Sequence, residues 1–162
     1  MSELTQGQLF ETRRHRRNLF FRWLLRRDMD RVLQIEHQVF PHPWAPLDFA
    51  RCLKHRRHRG LAAEHDGELI AYCVIDLGPQ RLEIMNLAVD ILHQRRGVGR
   101  QFIDRVARSA GRFPIRAHVQ EANLDAQLFF RACGFRCDKI IPDHYDNGAT
   151  AYRFVRRRPR RR

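Results

Sequence analysis

The stretch Val89-Asp90-Ile91-Leu92-His93-Gln94-Arg95-Arg96-Gly97-Val98-Gly99-Arg100 decides how this 162-residue chain is read. Leu82 to Val89 precedes it as a strand. After it, Val98, Phe102, Val106 and Ala110 recur every four residues with Ile103 and Ala107 beside them, the pattern of an amphipathic helix. The first turn of a helix has unpaired N–H groups and the positive end of the helix dipole, so the strand-to-helix turn is a place for an anion. Gly97 and Gly99 let the backbone approach phosphate oxygens, and Arg95, Arg96 and Arg100 add positive charge. No Lys-Ser/Thr follows the glycines, so this is not a P-loop, and no third glycine completes a dinucleotide fingerprint. On their own, the two glycines fit an ordinary tight turn equally well.

Outward from this turn the elements fall into an alternating order. Leu19 to Leu25 is an apolar first strand. Asp28 offers an N-cap to a helix carrying Met29, Val32, Leu33, Ile35, Val39 and Phe40, which Pro41 and Pro43 stop. Pro46 opens a second helix with Phe49, Cys52 and Leu53 inward, ending in the basic stretch 51–59. Asp66-Gly67 joins two strands as a hairpin. Strands at Ile115 to Val119, Phe135 to Ile141 and Thr150 to Val155 surround a helix of Ala126, Phe129, Phe130 and Cys133, which Gly134 closes. The pattern is α+β, three-layered αβα, with a mixed, mostly antiparallel sheet of about seven strands and about four helices.

Charge is concentrated at the ends. Residues 1–27 hold seven Arg and two Glu, and residues 156–162 hold six Arg, which leaves only +2 of the net +13 for residues 28–155. The expectation is a basic extension over 1–18, one domain over 19–155 and an Arg-rich tail over 156–162. Such tails are solvated and attract polyanions such as RNA without specificity. No apolar run approaches the roughly 20 residues that span a bilayer, and the polar start Met1 to Gln8 offers no signal core. A cytoplasmic protein is expected, with no membrane partner. Cys52, Cys73, Cys133 and Cys137 form no CxxC pair; we read them as reduced and mostly buried, with no structural zinc or other metal.

Three motifs, in order along residues 20–155, carry a resemblance. Gln94-x-x-Gly97-x-Gly99 after the strand Asn86-Leu87-Ala88-Val89 resembles the pyrophosphate signature of the GNAT N-acetyltransferases. Glu121-Ala122-Asn123, Phe130 and Gly134-Phe135 are similar to the family's Asn…Tyr…Gly-Phe helix, and Phe40-Pro41-His42-Pro43-Trp44 looks like the inter-helix loop of the RimI-type ribosomal-protein alanine N-acetyltransferases. The resemblance implies an acetyl-CoA cosubstrate and transfer to a protein N-terminal α-amine in a ternary complex. It assigns Leu87, Ala88 and Val89 to the pantetheine arm, Gln94, Arg95, Arg96, Gly97, Val98, Gly99 and Arg100 to the pyrophosphate, and Asn123 and Phe130 to the thioester end. Pro43, Trp44, Asn86, His144 and Tyr145 would shape the acceptor groove.

Two positions depart from the family. Where RimI-type enzymes carry a basic glutamate the chain has His118, and where a tyrosine protonates the departing thiolate it has Phe130. An α-amine, with a pKa of about 8 against about 10.4 for lysine, needs only a weak base, and His118 could serve directly or through water. Glu83 is the rival, at the place where the histone-acetyltransferase branch carries its base; strand alternation puts Glu83, Met85, Leu87 and Val89 on one face, and adjacent strands could pair Glu83 with His118. Tyr145 is the remaining hydroxyl for the acid, or only a wall of the groove. Trp23 is expected in the core, His55 and His58 at a solvated helix end, and Asp143 and Asp146 in turns. Acetylation of a lysine or small amine, and a weak CoA-binding module drawn to RNA, remain as other readings.

Overall fold

The computed structural model describes residues 19–157; the expected extension over 1–18 and all but the start of the Arg-rich tail lie outside the described residues. In chain order the elements are β1 (Leu19–Trp23), α1 (Met29–Val39), α2 (Pro46–Lys54), β2 (His58–His65), β3 (Glu68–Leu77), β4 (Leu82–Val89), α3 (Val98–Ala110), β5 (Ile115–Gln120), α4 (Leu124–Ala132), β6 (Arg136–Ile141) and β7 (Ala151–Arg156). They build one seven-stranded sheet of order β1-β2-β3-β4-β5-β7-β6, antiparallel except between β4 and β5. The three-layer α+β expectation therefore holds.

Alternation along the strands divides the core in two. Cys73, Ile75, Ile84, Ala117 and Val119 join Phe102, Ile103 and Val106 of α3 on one side of the sheet. Tyr72, Val74 and Ala88 join Val32 and Ile35 of α1 and Phe49 of α2 on the other. The Asp66-Gly67 turn forms as read, with φ of 50° and 82°. Gly134 ends α4 at φ 85°, and the N–H groups of Gly134 and Phe135 reach Arg131 O and Phe130 O, both at 3.0 Å.

Several local expectations are corrected. Asp28 stands at the N-cap position of α1 as expected, but its side chain makes no cap hydrogen bond: its carboxylate accepts from Leu25 N at 2.6 Å and pairs with Arg22 at 2.7 Å, fastening β1 to the entry of α1. His58 is not a solvated helix end but the first residue of β2, half-buried with Nδ1 donating to Cys52 O at 2.8 Å. Cys73 and Cys133 are buried, whereas Cys52 is half-buried and Cys137 exposed. Trp23 is partly buried against the α3-side core, and Arg156 belongs to β7 rather than to a tail.

Two features position the site. In the β3–β4 ladder Val74 pairs with Asn86 and Ile75 with Ile84, so Met85 is a bulge. The extra residue breaks strict alternation. Ile84, Leu87 and Val89 consequently all pack on the α3 side, while Glu83 and Asn86 point toward the α1–α2 side. The expectation that Glu83 shares a face with Leu87 and Val89 fails for this reason. The second feature is a parting of strands: β4 and β5 pair only over Leu82–Ile84 and Ile115–Ala117. Beyond that point no β4–β5 pairing continues, and Leu87 and Val89 are partly buried against the α3-side core.

Candidate active site

Below the opening, the turn that suggested an anion site is tightly built. Asp90, 2% exposed, accepts from Leu92 N at 2.8 Å and binds Arg31 of α1 at 2.7 Å, so the loop is anchored to the opposite layer. Gln94 Nε2 donates to Val89 O at 3.0 Å, which occupies one of the backbone groups expected to meet the pantetheine arm. Arg95 and Gly97 both take positive φ, 61° and 82°, and Gly97 is the N-cap of α3. Its missing side chain is required by the backbone, since a Cβ there would meet nothing within 4 Å.

Gly99 has a different reason. A Cβ at Gly99 would stand 3.1 Å from two ring atoms of Phe129 on α4, so the glycine allows α3 and α4 to approach. Arg100 also turns to α4, with Nη1 donating to Ala132 O at 3.1 Å. Of the three arginines expected around a pyrophosphate, Arg95 and Arg96 stand exposed in the turn. Exposed N–H groups, a left-handed N-cap and two free-standing cations suit a diphosphate.

At the far side of the opening Asn123 caps α4, its Oδ1 accepting from Ala126 N at 3.0 Å. Phe130, expected at the thioester end, is 7% exposed and packs within 5.1 Å of Phe135 and 6.1 Å of Phe154 in the aromatic core.

On the α1–α2 face, β4 and β5 bring Glu83 and His118 together, with Nδ1 of His118 2.8 Å from Glu83 Oε1. Each side chain is 21% exposed. The hydrogen bond from His118, with Arg81 as a second donor at 3.2 Å, holds the Glu83 carboxyl down to about 2 against the opposing effect of burial. Glu83 is therefore an ionised, acceptor-only group near neutral pH, and its contact requires His118 Nδ1 to carry the hydrogen. In the neutral ring Nε2 is then the basic nitrogen. His144 stacks on His118 at 4.9 Å and Tyr145 meets His144 edge-on at 4.9 Å. Burial raises the Tyr145 hydroxyl above its ordinary value, so it stays protonated.

The sequence profile of the Acetyltransferase (GNAT) family matches residues 21–135. The chain belongs to this family. An uncharacterized protein of Mycobacterium leprae is 33% identical over 132 residues, 77% of this chain and 37% of that one; the chain thus spans little more than a third of that relative's length. Among solved structures, the ribosomal-protein alanine N-acetyltransferase of Escherichia coli superposes with a TM-score of 0.72 at 22% identity, covering 85% of this chain and 92% of the other. The NAA60 protein of Arabidopsis thaliana in complex with acetyl-CoA gives 0.73 at 20% identity, covering 86% and 98%. At such identities the superpositions speak for the fold. Among the described residues no His/Cys/Asp/Glu group could hold a metal ion.

The largest feature missed in the sequence lies under the GNAT chain's first inter-helix loop. Glu36 of α1 is 1% exposed. Its Oε1 accepts from Trp44 N at 2.7 Å, Asn86 Nδ2 lies 3.2 Å from both oxygens, and the Tyr72 hydroxyl donates to Oε2. Burial raises the carboxyl, opposed by the Trp44 and Asn86 donors. Asn86, expected to touch the acceptor, is instead 8% exposed and committed to this carboxylate. A signal was present: Glu36 sits four residues after Val32 and next to Ile35, on the stripe where an apolar residue belongs. Among the described residues no helix is long and apolar enough to cross a membrane.

Proposed function

We propose that this enzyme acetylates a protein N-terminal α-amine, with His118 as general base and Glu83 as the carboxylate that orients it. The observation that carries the reading is the 2.8 Å contact between Glu83 and His118 Nδ1, on the acceptor face beside the parting of β4 and β5. Acetyl-CoA supplies the activated acetyl group. Leu87, Ala88 and Val89 line the cleft for its pantetheine arm; Gln94 through Arg100, Arg95 and Arg96 foremost, receive the diphosphate; the Asn123 carboxamide N–H groups face the thioester end. His118 Nε2 takes the proton from the acceptor's ammonium, and Glu83 favours the imidazolium that results. An α-amine near 8 asks less of a base than a lysine near 10.4.

Pro43, Trp44, His144 and Tyr145 wall the acceptor site, and the Tyr145 hydroxyl is the proton donor to the leaving thiolate in place of Phe130. By likeness to the Escherichia coli enzyme, the acceptor class is a ribosomal protein, met in the cytoplasm, with the Arg-rich ends of the chain aiding encounter with RNA-bearing particles. Four cysteines without a paired spacing fit that compartment. The test is CoA release with peptides bearing free N-termini and with N-blocked peptides whose only amine is a lysine. Turnover is expected on the first set. Turnover confined to the second set would refute the α-amine assignment.

A further inference from the structure

Glu36 lies outside the proton path just described, yet it is the most heavily bonded carboxylate of the acceptor half. Its two oxygens receive donors from three separate places: the loop after α1 through Trp44 N at 2.7 Å, β3 through the Tyr72 hydroxyl, and β4 just past the bulge through Asn86 Nδ2 at 3.2 Å. The circuit closes through aromatic rings. Trp44 meets Phe49 edge-on at 5.2 Å, and Phe49 meets Tyr72 at 5.7 Å. Trp44, Tyr72 and Asn86 all donate to it, so the group is used as an acceptor hub. The loop holding Trp44 carries Pro41 and Pro43, neither of which has an N–H to give. The Trp44 N–H is thus one of few backbone donors by which the loop can be fastened.

We infer that Glu36 is a positioning residue that fixes the Trp44 wall of the acceptor site against β4, and so sets which first residue of the acceptor is admitted. This rests on the N-terminal acceptor reading. A carboxylate reached from α1, β3, β4 and the loop keeps the wall at one height above the strand that carries Glu83. Removing it leaves three donors without an acceptor in a place closed to water, and the loop is the one that can leave to find water.

The experiment uses the full chain with Trp23→Phe, which leaves Trp44 alone of the two tryptophans. In Glu36→Ala, acrylamide quenching of Trp44 should rise severalfold and the peptide KM should rise about tenfold. By contrast kcat and acetyl-CoA affinity by calorimetry should stay within about threefold. Glu36→Gln keeps the shape and one acceptor oxygen and should recover most of the protection. Should Glu36→Ala fail to fold, Tyr72→Phe, which removes one donor to the same carboxylate, should still raise quenching and peptide KM in the same direction. Unchanged quenching in the folded variants overturns the inference, as does a loss of acetyl-CoA affinity that matches the rise in peptide KM. If the parent chain turns over no peptide, the acceptor reading fails by itself, and quenching alone decides whether Glu36 holds the wall.

Discussion

The two halves of the site are built from different materials. The cosubstrate half, from Val89 to Arg100 with the start of α4, consists mainly of backbone: a strand parted from its neighbour, a left-handed Gly97 and the opening turn of α3. The acceptor half consists of side chains that meet from distant parts of the chain, Glu83 with His118 and Glu36 with Trp44, Tyr72 and Asn86. In the proposed function backbone grips the cosubstrate, whereas the acceptor is met by side chains, which can be exchanged one by one to suit different amines.

Substitutions should therefore separate the halves. The largest effect is expected for His118→Ala, a fall in kcat of about 10²–10³-fold in steady-state assays, with acetyl-CoA affinity by calorimetry unchanged. If affinity for acetyl-CoA fell in step, His118 would belong to the wrong half. Next is Gly99→Val, whose Cβ would sit 3.1 Å from the Phe129 ring. It should weaken acetyl-CoA binding by about 30-fold or more, on the order of 2 kcal/mol, while leaving the pH dependence of turnover alone. Glu83→Gln should reduce kcat by roughly tenfold, because the imidazolium formed in the reaction loses its carboxylate partner. A loss as large as that of His118→Ala would make Glu83 the base itself.

The smallest effect is on stability. Glu83 is held near 2 in the folded chain against an ordinary 4.5. A depressed carboxyl contributes stability that is complete above the unfolded value and is lost as pH falls from about 4.5 through about 2. Denaturant melts across this window should show the native chain losing on the order of 1–2 kcal/mol more than Glu83→Gln. Identical slopes would mean that the Glu83–His118 contact does not persist in solution.

The same division explains what could be read in advance. Residues 94–99 and the Gly134 helix end are local: a positive φ leaves a glycine at a fixed place in the sequence, and the reading needed no distant partner. Even so, the reason for Gly99 was misjudged, because Phe129 stands 30 positions away. The Glu83–His118 pair was anticipated from strand adjacency. The face of Glu83 was not, since a bulge at Met85 carries no marker such as glycine. Glu36 and Arg31 were not among the residues singled out from the sequence. Burying a charge is costly without partners, and their partners, from Trp44 and Asn86 to Asp90, are revealed only by the fold. Asp28 was placed at the N-cap correctly, but the use of its carboxylate was hidden for the same reason, Arg22 having the stronger claim on it.

With Met85 as a surplus residue, β4 turns apolar side chains to α3 at Ile84, Leu87 and Val89 while its opposite edge presents first an acid and then an amide. Drawing Met85 into the ladder opposite Ile75, in the place Ile84 holds, would act like a half-turn of a screw on everything upstream of it. Glu83 would be driven into the oily layer under α3 and Ile84 out beside His118. The unpaired place of Met85 in β4 is thus as much a part of the chemistry as the identity of Glu83 or Leu87.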